Sequence, residues 1–203
     1  MLRRNFIKKI LLFSLAFLSL KTKIMANSLF KPFNMEDGIF LNNYVLHKSS
    51  FKDFWKWRKE SNKPKPMSFP VVKNNPSYLK SNNSEKTITW VGHSTFLIQI
   101  DGINILTDPH FSKRASPLSF MGPSRTTPPG LNMDDLPFID LVLISHNHYD
   151  HLDAQTIKLL LKKQNINQPT FFVPLKLKET ISKLGASNVI EHEWWQMSKH
   201  KNL

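Results

Sequence analysis

The sequence predicts an α/β fold in which helices flank a mixed sheet. Two strand-like runs joined by a short turn lie near the middle of the chain, and strands alternate with helices beyond them. One later strand is an almost unbroken apolar run, which is typical of a strand buried on both faces. With 40% hydrophobic and 21% charged residues, the 203-residue chain can build a domain core, which excludes wholesale disorder.

The first strands of the domain follow Thr87. β-branched and aromatic residues dominate positions 88–91 and 95–100, which favours strands. Asp101-Gly102 is typical of a tight turn into a third run at 103–107, so a hairpin is predicted. Residues 108–137 are rich in Pro and Gly and are predicted to form a loop of a length that is typical of functional loops.

Strands and helices alternate after this loop. Asp153 is suited to cap a helix that runs to about Lys163, and we expect it to act as that cap rather than as a metal ligand. The apolar face of this helix consists of Ile157, Leu160 and Leu161. The other predicted elements are strands over 140–145, 170–173 and 188–191, and a helix over 175–184 that Gly185 stops.

Residues 1–26 predict an export signal. A basic start precedes an apolar run of eleven residues, which is too short to cross about 30 Å of hydrocarbon but suits a signal peptide. Residues 3–8 (RRNFIK) resemble a twin-arginine signal, with an ordinary signal peptide or an uncleaved anchor as the alternatives. We therefore expect a protein exported to the periplasm or associated with a membrane, and a cytoplasmic one if the signal does not function.

Residues 27–86 are predicted to form an N-terminal arm and linker. Aromatic residues over 51–58 suit one or two helical turns that brace the arm against the main domain, with a ligand site as the alternative. Lys63-Pro64-Lys65-Pro66 ends any helix and is typical of an extended linker. The remaining residues, 87–203, are the predicted domain.

Charge and cysteine content restrict the function. The formal net charge is +13, but residues 1–25 hold six basic and no acidic side chains, which leaves +7 on the rest. Because that charge is not concentrated in a stripe with stacking aromatic residues, no nucleic-acid partner is expected. The absence of cysteine excludes disulfides, thiolate zinc sites and cysteine nucleophiles, so any metal site must use His, Asp and Glu.

The strongest functional signal is the run HNHYDH at 146–151, directly after the apolar strand. Imidazole and carboxylate need partners when buried, and both are good ligands for zinc and similar divalent ions. Alternation directs His146 and His148 towards one metal, and after a turn Asp150 and His151 face a second position. Two ions at that spacing would lower the pKa of a shared water and orient it for attack. A loop of solvated histidines is the alternative.

The pattern His-x-His-x-Asp-His after an apolar strand resembles the metallo-β-lactamase superfamily. Further runs extend the resemblance in order along the chain: ITWVGHST at 88–95, LTDP at 106–109, residues 112–117, MGP at 121–123, SHNHYDHLD at 145–153 and EWW at 193–195. Together they are similar to the branch of N-acylphosphatidylethanolamine-hydrolysing phospholipase D, over roughly residues 51–196. The resemblance implies the N-terminal half of an αββα sandwich, a mixed sheet with flanking helices.

The resemblance implies metal ligands at four positions. His146 and His148 would bind a first metal ion, and Asp150 and His151 a second, with zinc as the expected ion and one or two divalent ions per chain. Asp150 would also be the catalytic residue that orients or deprotonates the attacking water.

The resemblance also places His93 and Asp108 near the site. Asp108 would accept a hydrogen bond from a ligand histidine and so select its tautomer, with an Asx turn before Pro109 as the alternative. Arg114 and Arg125, on the long loop, are candidates to meet a phosphate, with a solvated surface position as the alternative.

Three functional hypotheses follow. The first is a metal-dependent hydrolase in which metal-activated water attacks a phosphodiester of a membrane lipid. Because members of the branch continue beyond the EWW run with further ligands, we expect the domain over 87–203 to be incomplete at its C-terminus, and an inactive remnant or a non-enzymatic metal-binding fragment is the second hypothesis. The third is a superfamily hydrolase of another substrate, such as a lactone. The expected partners are a small-molecule or lipid substrate and a membrane surface, and a homo-oligomer stays open.

Overall fold

The computed structural model describes residues 35–36, 39–41, 50–61, 67 and 70–201. Contacts divide the chain into two compact units, Met1–Ser61 and Asn62–Leu203, and each is described by itself. The predicted export signal and the Lys-Pro linker at 63–66 lie outside the described residues. Among the residues described, no helix is both long enough and apolar enough to cross a bilayer.

Among its described residues, the first unit contains a two-stranded antiparallel sheet and one helix. Strand β1 (Met35–Glu36) pairs with β2 (Ile39–Phe40), and helix α1 spans Phe51–Glu60. The Ser50 hydroxyl accepts from the Asp53 N–H at 3.2 Å, while the Asp53 carboxylate accepts from the Ser50 N–H at 2.8 Å, which forms a capping box. The predicted aromatic helix is therefore present and, at ten residues, longer than the one or two turns expected.

The second unit is built on one mixed sheet of six strands. They are β3 (Thr87–Gly92), β4 (Thr95–Ile100), β5 (Ile103–Thr107), β6 (Leu141–Leu143), β7 (Thr170–Pro174) and β8 (Val189–His192). The spatial order follows the chain order, β3 to β8. The neighbouring pairs β3–β4 and β4–β5 are antiparallel, whereas β5, β6, β7 and β8 run parallel to one another. The predicted mixed α/β sheet is confirmed.

The hairpin between β4 and β5 depends on its turn residues. Asp101 and Gly102 both have positive φ, 50° and 74°, which two-residue hairpin turns of the I′ type require. Asp tolerates this region better than most residues, and Gly has no Cβ to oppose it. Ile100 therefore pairs directly with Ile103, as the sequence predicted.

In the described part of this unit, three helices accompany the sheet: α2 (Pro76–Ser81), α3 (Ala154–Lys163) and α4 (Lys178–Lys183). Helix α3 buries the predicted Ile157, Leu160 and Leu161. These side chains join a core row that crosses the sheet, in which Leu97, Leu106, Val142 and Phe171 are paired in register and fully buried. Paired residues on adjacent strands point to the same face, so this row and the α3 face form one apolar core.

Several predicted boundaries differ from the structure. The unit that contains the sheet begins before Thr87, because Leu79 of α2 is 4% exposed within the core and its carbonyl accepts from the Gln99 side chain. The strand predicted over 140–145 ends at Leu143. The helix predicted over 175–184 is shortened to Lys178–Lys183. The loop over 108–137 contains a short bridge between Arg114 and Ser124 and a 3₁₀ turn at Met133–Asp135.

Candidate metal centre

The candidate site lies at the carboxyl ends of the parallel strands, where three loops converge. β5 and β6 are parallel neighbours, and Thr107 pairs with Leu143 at their carboxyl ends. The turn between β3 and β4 reaches the same end of the sheet, because the Thr95 hydroxyl donates to the Asp108 carbonyl at 2.7 Å. This end therefore gathers His93, Asp108 and the 146–151 run. The carboxyl ends of parallel strands are the usual place for ligand sites in α/β sheets.

The structure brings His93, Asp150 and His151 together. Each offers one ligand atom, and the three atoms lie within 4.8 Å of one another. His93 Nε2 is 2.9 Å from Asp150 Oδ2, and His151 Nε2 is 3.6 Å from the same oxygen. His93 was expected only near the site. In the structure it is placed so that it could bind the same metal ion as Asp150 and His151.

Asp108 anchors the His151 ring. Its Oδ2 is 2.9 Å from His151 Nδ1, and its two oxygens accept from the Ser145 N–H and hydroxyl, both at 2.7 Å. Asp108 is 6% exposed, so these bonds are shielded from water. The carboxylate therefore bonds to residues beyond β6, not to an Asx turn before Pro109. It leaves His151 Nε2 as the ring nitrogen that faces Asp150.

His146 and His148 face each other beside this group. His146 Nε2 lies 3.0 Å from His148 Nδ1, and the His146 and His151 ring centroids are 4.0 Å apart. The Ser145 hydroxyl is 2.9 Å from His146 Nδ1. Burial, together with the neighbouring His151 and His148, lowers the pKa of His146. His146 is therefore uncharged at neutral pH, which is the state in which an imidazole binds a metal.

The Asp150 carboxyl is suited to act as an anion. Burial by itself raises its pKa, but a hydrogen bond from its own backbone and the neighbouring His151 and His93 outweigh that effect, and the pKa lies below its usual range. At neutral pH the side chain is therefore ionised and accepts hydrogen bonds.

The donor set fits a divalent ion. Imidazole nitrogens and a carboxylate oxygen, without thiolate, suit zinc and comparable metals. The Asp108–His151 hydrogen bond has the form that supports metal-binding histidines in proteins. His93, Asp150 and His151 would hold such an ion directly. His146 and His148 are adjacent to them and remain predicted ligands.

The β3–β4 turn positions His93. Trp90 Nε1 donates to the His93 carbonyl at 2.9 Å, and His93 itself has φ of 51°. Gly92, with φ of 145°, allows a close approach, because a Cβ placed there would lie 2.9 Å from Arg125 Nη1. Glycine at this position therefore lets the Arg125 guanidinium pack directly against the turn that carries His93.

A cavity of about 690 Å³ opens beside the site, and His93, His110, Arg125 and Asp150 are among its lining residues. Apolar side chains contribute to the same wall: Val71, Val72, Ile88 and Trp90. Two candidate metal ligands, His93 and Asp150, therefore border a chamber with both polar and apolar lining, which is typical of small-molecule sites.

The pair of His110 and Arg125 is a feature that the sequence analysis missed. Arg125 Nη2 donates to the His110 carbonyl and to His110 Nδ1, which is 2.9 Å away. Since a guanidinium only donates, Nδ1 must carry no proton. Burial, and then the positive charge of Arg125, lower the pKa of His110, which agrees with a neutral ring. The sequence feature that could have identified His110 as a residue near the site is its position two residues after Asp108.

Arg125 is a half-buried cation without a carboxylate partner in the described part of the chain. Burial lowers its pKa, and its Nε is buried without a hydrogen-bond partner. Arg125 is therefore not the solvated surface residue of the alternative interpretation. Arg114, by contrast, donates from Nη1 to the Gly122 carbonyl at 2.6 Å and so supports its own loop.

Asp153 is the helix cap that the sequence predicted. Its carboxylate accepts from the N–H groups of Gln155 and Thr156 at the start of α3, and from the Ser112 N–H at 3.0 Å. Burial raises the pKa of Asp153, but the hydrogen bonds from Thr156 and Ser112 lower it by more than burial raises it. The net shift of the pKa is therefore downward. The cap therefore also ties the long loop to α3.

Comparisons with known proteins place these features in a family. The beta-lactamase superfamily domain matches residues 87–199. An uncharacterized protein of Mycobacterium tuberculosis is 33% identical over 178 residues, which cover 84% of this chain and 47% of that protein. N-acyl-phosphatidylethanolamine-hydrolyzing phospholipase D 1 of Caenorhabditis elegans is 42% identical over 117 residues, which cover 55% of this chain and 32% of the enzyme.

Among solved structures, a metallo hydrolase from Ignicoccus hospitalis aligns with a TM-score of 0.40 and 24% identity, over 56% of this chain and 42% of that one. The chain spans about half the length of the curated mycobacterial relatives that it matches. The resemblance identified from the sequence motifs is confirmed by the domain match and by the similarity to the phospholipase D of Caenorhabditis elegans.

Proposed function

The chain belongs to the beta-lactamase superfamily as a metallo-β-lactamase-type hydrolase, and we propose that it is a zinc-dependent hydrolase of a phosphodiester in an amphiphilic lipid. One observation carries the proposal. Two of the three candidate metal donors, His93 and Asp150, line a cavity of about 690 Å³ that also holds the guanidinium of Arg125, which has no carboxylate partner in the described part of the chain. A metal centre beside a fixed cation suits a substrate whose reacting group is anionic.

The proposed chemistry needs a nucleophilic water, a base and a site for the phosphate. His93, Asp150 and His151 would hold a divalent ion, which would supply Lewis acidity and lower the pKa of a bound water. The ionised Asp150 carboxylate is the proposed acceptor of the water proton through Oδ1, because Oδ2 is the oxygen that faces His93 and His151. Asp108 holds His151 by Nδ1, so the other ring nitrogen faces the site.

Arg125 is the proposed contact for the phosphate. Arg125 is half-buried and contacts no carboxylate in the described part of the chain, so an anion that enters the cavity is bound more strongly there than at an exposed arginine. His110 holds the guanidinium from one side and Gly92 leaves room for it on the other. The guanidinium is therefore fixed in place before a substrate arrives, which reduces the entropy lost on binding.

The apolar part of the cavity supports a lipid rather than a small hydrophilic phosphodiester. Val71, Val72, Ile88 and Trp90 share the wall with the polar residues. Ile88 is 72% exposed and Trp90 is 54% exposed. Apolar surface at the mouth of a polar site favours a substrate that brings a hydrocarbon chain to it.

The test is hydrolysis by the purified, zinc-loaded chain of an N-acyl phosphatidylethanolamine in mixed micelles and, separately, of a lactone. We expect cleavage of the phosphodiester and loss of turnover in His151→Ala. The rates should be unchanged in Ser84→Ala, a control at an exposed residue just before β3, at the end of the strand remote from the site. Arg125→Gln should raise KM for the phosphodiester about ten- to a hundredfold, since a charged hydrogen bond contributes roughly 1.5–3 kcal/mol. Arg125→Lys, which keeps the charge, should recover part of that loss.

Other outcomes decide between the remaining hypotheses. Cleavage of the lactone alone would replace the phosphodiester by a different substrate class. Zinc bound at the site, with neither substrate cleaved, would indicate a metal-binding protein without turnover. No zinc retained after gel filtration would overturn the proposed metal centre itself.

A further inference from the structure

Residues 113–125 form a hairpin-like projection from the long loop. The Ala115 N–H donates to the Pro123 carbonyl at 3.0 Å, and the Arg125 N–H donates to the Lys113 carbonyl at 2.8 Å. Arg114 pairs with Ser124 in an antiparallel bridge. These bonds form a stem, so residues 117–121 are held at its end as a defined tip.

The tip presents large apolar side chains to solvent. Phe120 is 72% exposed, Met121 is 58% exposed and Leu118 is 44% exposed. Single exposed apolar residues are ordinary, but three within four positions on an ordered projection form a patch. Water solvates such a patch poorly, so the free energy falls when an apolar phase covers the tip.

The charge around the tip identifies that phase. Residues 109–133 contain three cationic side chains, Lys113, Arg114 and Arg125, and no acidic one. Lys113 is exposed on the stem, just behind the apolar tip. Apolar side chains ahead of cations are the arrangement by which proteins enter the interface of an anionic bilayer.

We propose that residues 117–121 insert into the interface of an anionic phospholipid bilayer, with Lys113 against the headgroups. Arg125 lies on the same stem and lines the cavity beside the candidate metal centre. Insertion of the tip therefore brings the cavity close to the headgroups. Membrane binding does not depend on turnover, so this proposal can fail while the proposed hydrolase activity holds, and the reverse is also true.

A single fluorescent label tests the insertion directly. The chain has no cysteine, so Ser119→Cys can carry one environment-sensitive fluorophore at the tip. The matched control is Ser84→Cys, because Ser84 is also exposed and lies just before β3, at the end of the strand remote from the candidate metal centre. With vesicles of phosphatidylcholine and phosphatidylglycerol, we expect a blue shift and lipid-quencher sensitivity for the tip label alone. A tip label that stays in water while the chain binds vesicles overturns the proposal.

Substitutions at the tip provide a second measurement, by vesicle co-sedimentation. The double variant Phe120→Ser and Met121→Ser should partition about tenfold less than the parent chain, whereas Ile166→Ser, which changes an 88%-exposed residue after α3, should not. Lys113→Gln should weaken binding to anionic vesicles and leave binding to pure phosphatidylcholine unchanged, with Lys162→Gln as its control. The apolar run at residues 10–20 is common to every variant. Equal partitioning of all variants, or no binding to any vesicle, overturns the proposal and directs attention to a protein partner.

Discussion

Asp108 joins the end of β5 to the candidate metal centre through one carboxylate. That carboxylate accepts from Ser145 at 2.7 Å through each oxygen, and one oxygen also lies 2.9 Å from His151 Nδ1. In Asp108→Asn an amide group replaces one acceptor, so either Ser145 or His151 loses its partner. We expect the zinc affinity to fall about ten- to a hundredfold while the fold is retained. Competition with a chromophoric chelator measures the affinity.

Asp101→Asn is the matched control for that change. Asp101 also has a positive φ, 50° against 36° for Asp108, but it is exposed at the hairpin turn, 3.8 Å from Lys86. The same substitution there should leave the zinc affinity unaltered. If Asp108→Asn bound zinc as tightly as Asp101→Asn does, the orienting role assigned to Asp108 would be wrong.

Helix α3 begins at a cap that serves two segments. Asp153 accepts from the first turn of α3 and from the Ser112 N–H at 3.0 Å, and it is 7% exposed. Asp153→Ala should therefore lower the free energy of unfolding by about 2 kcal/mol, the upper end for a lost cap, because the loop contact is lost as well. Urea denaturation followed by far-UV circular dichroism measures the change.

The control for the cap is Asp134→Ala, an exposed carboxylate in the 3₁₀ turn with no side-chain hydrogen bond among the described residues. It should change the free energy of unfolding by less than about 0.5 kcal/mol. Equal effects of the two substitutions would mean that Asp153 contributes charge rather than a cap.

The elements from Thr87 onward were predictable because their patterns are local. Alternation, the Asp101-Gly102 turn and the apolar stripe of α3 each lie within a short window, and each predicted element is present. Helix α2 was missed because six residues with one buried side chain, Leu79, show no period. Its place in the core depends on contact with the distant Gln99, which no window of sequence contains.

The same distinction holds for the candidate site. The 146–151 run is contiguous, so its chemistry was visible in the sequence, and His93 was placed near it through the family motif. The third-donor position of His93 was not visible, because it depends on Asp150, 57 residues away. The His110–Arg125 pair was missed because it forms only when the loop folds back on itself. Tertiary contacts of this kind leave no periodic signal.

At the scale of the whole molecule, a metal ion would connect parts of the unit that are distant in sequence. His93 lies in the β3–β4 turn, whereas Asp150 and His151 follow β6. An ion that binds all three stabilises the folded state over the unfolded one by mass action, about 2.7 kcal/mol when its free concentration is a hundred times its Kd. For a unit of this size the thermal midpoint should rise by about 8 °C.

The metal dependence of the midpoint is the measurement, made on the full chain after chelator treatment and again after addition of zinc or magnesium. Zinc should raise the midpoint, and magnesium should not, because magnesium prefers oxygen ligands while two of the three donors here are imidazoles. The shift should disappear in His151→Ala and persist in His192→Ala, since His192 contacts Ser198 at the end of β8, and β7 separates β8 from β6. A zinc shift that survives unchanged in His151→Ala would show that His151 is not a ligand of the ion that stabilises the fold.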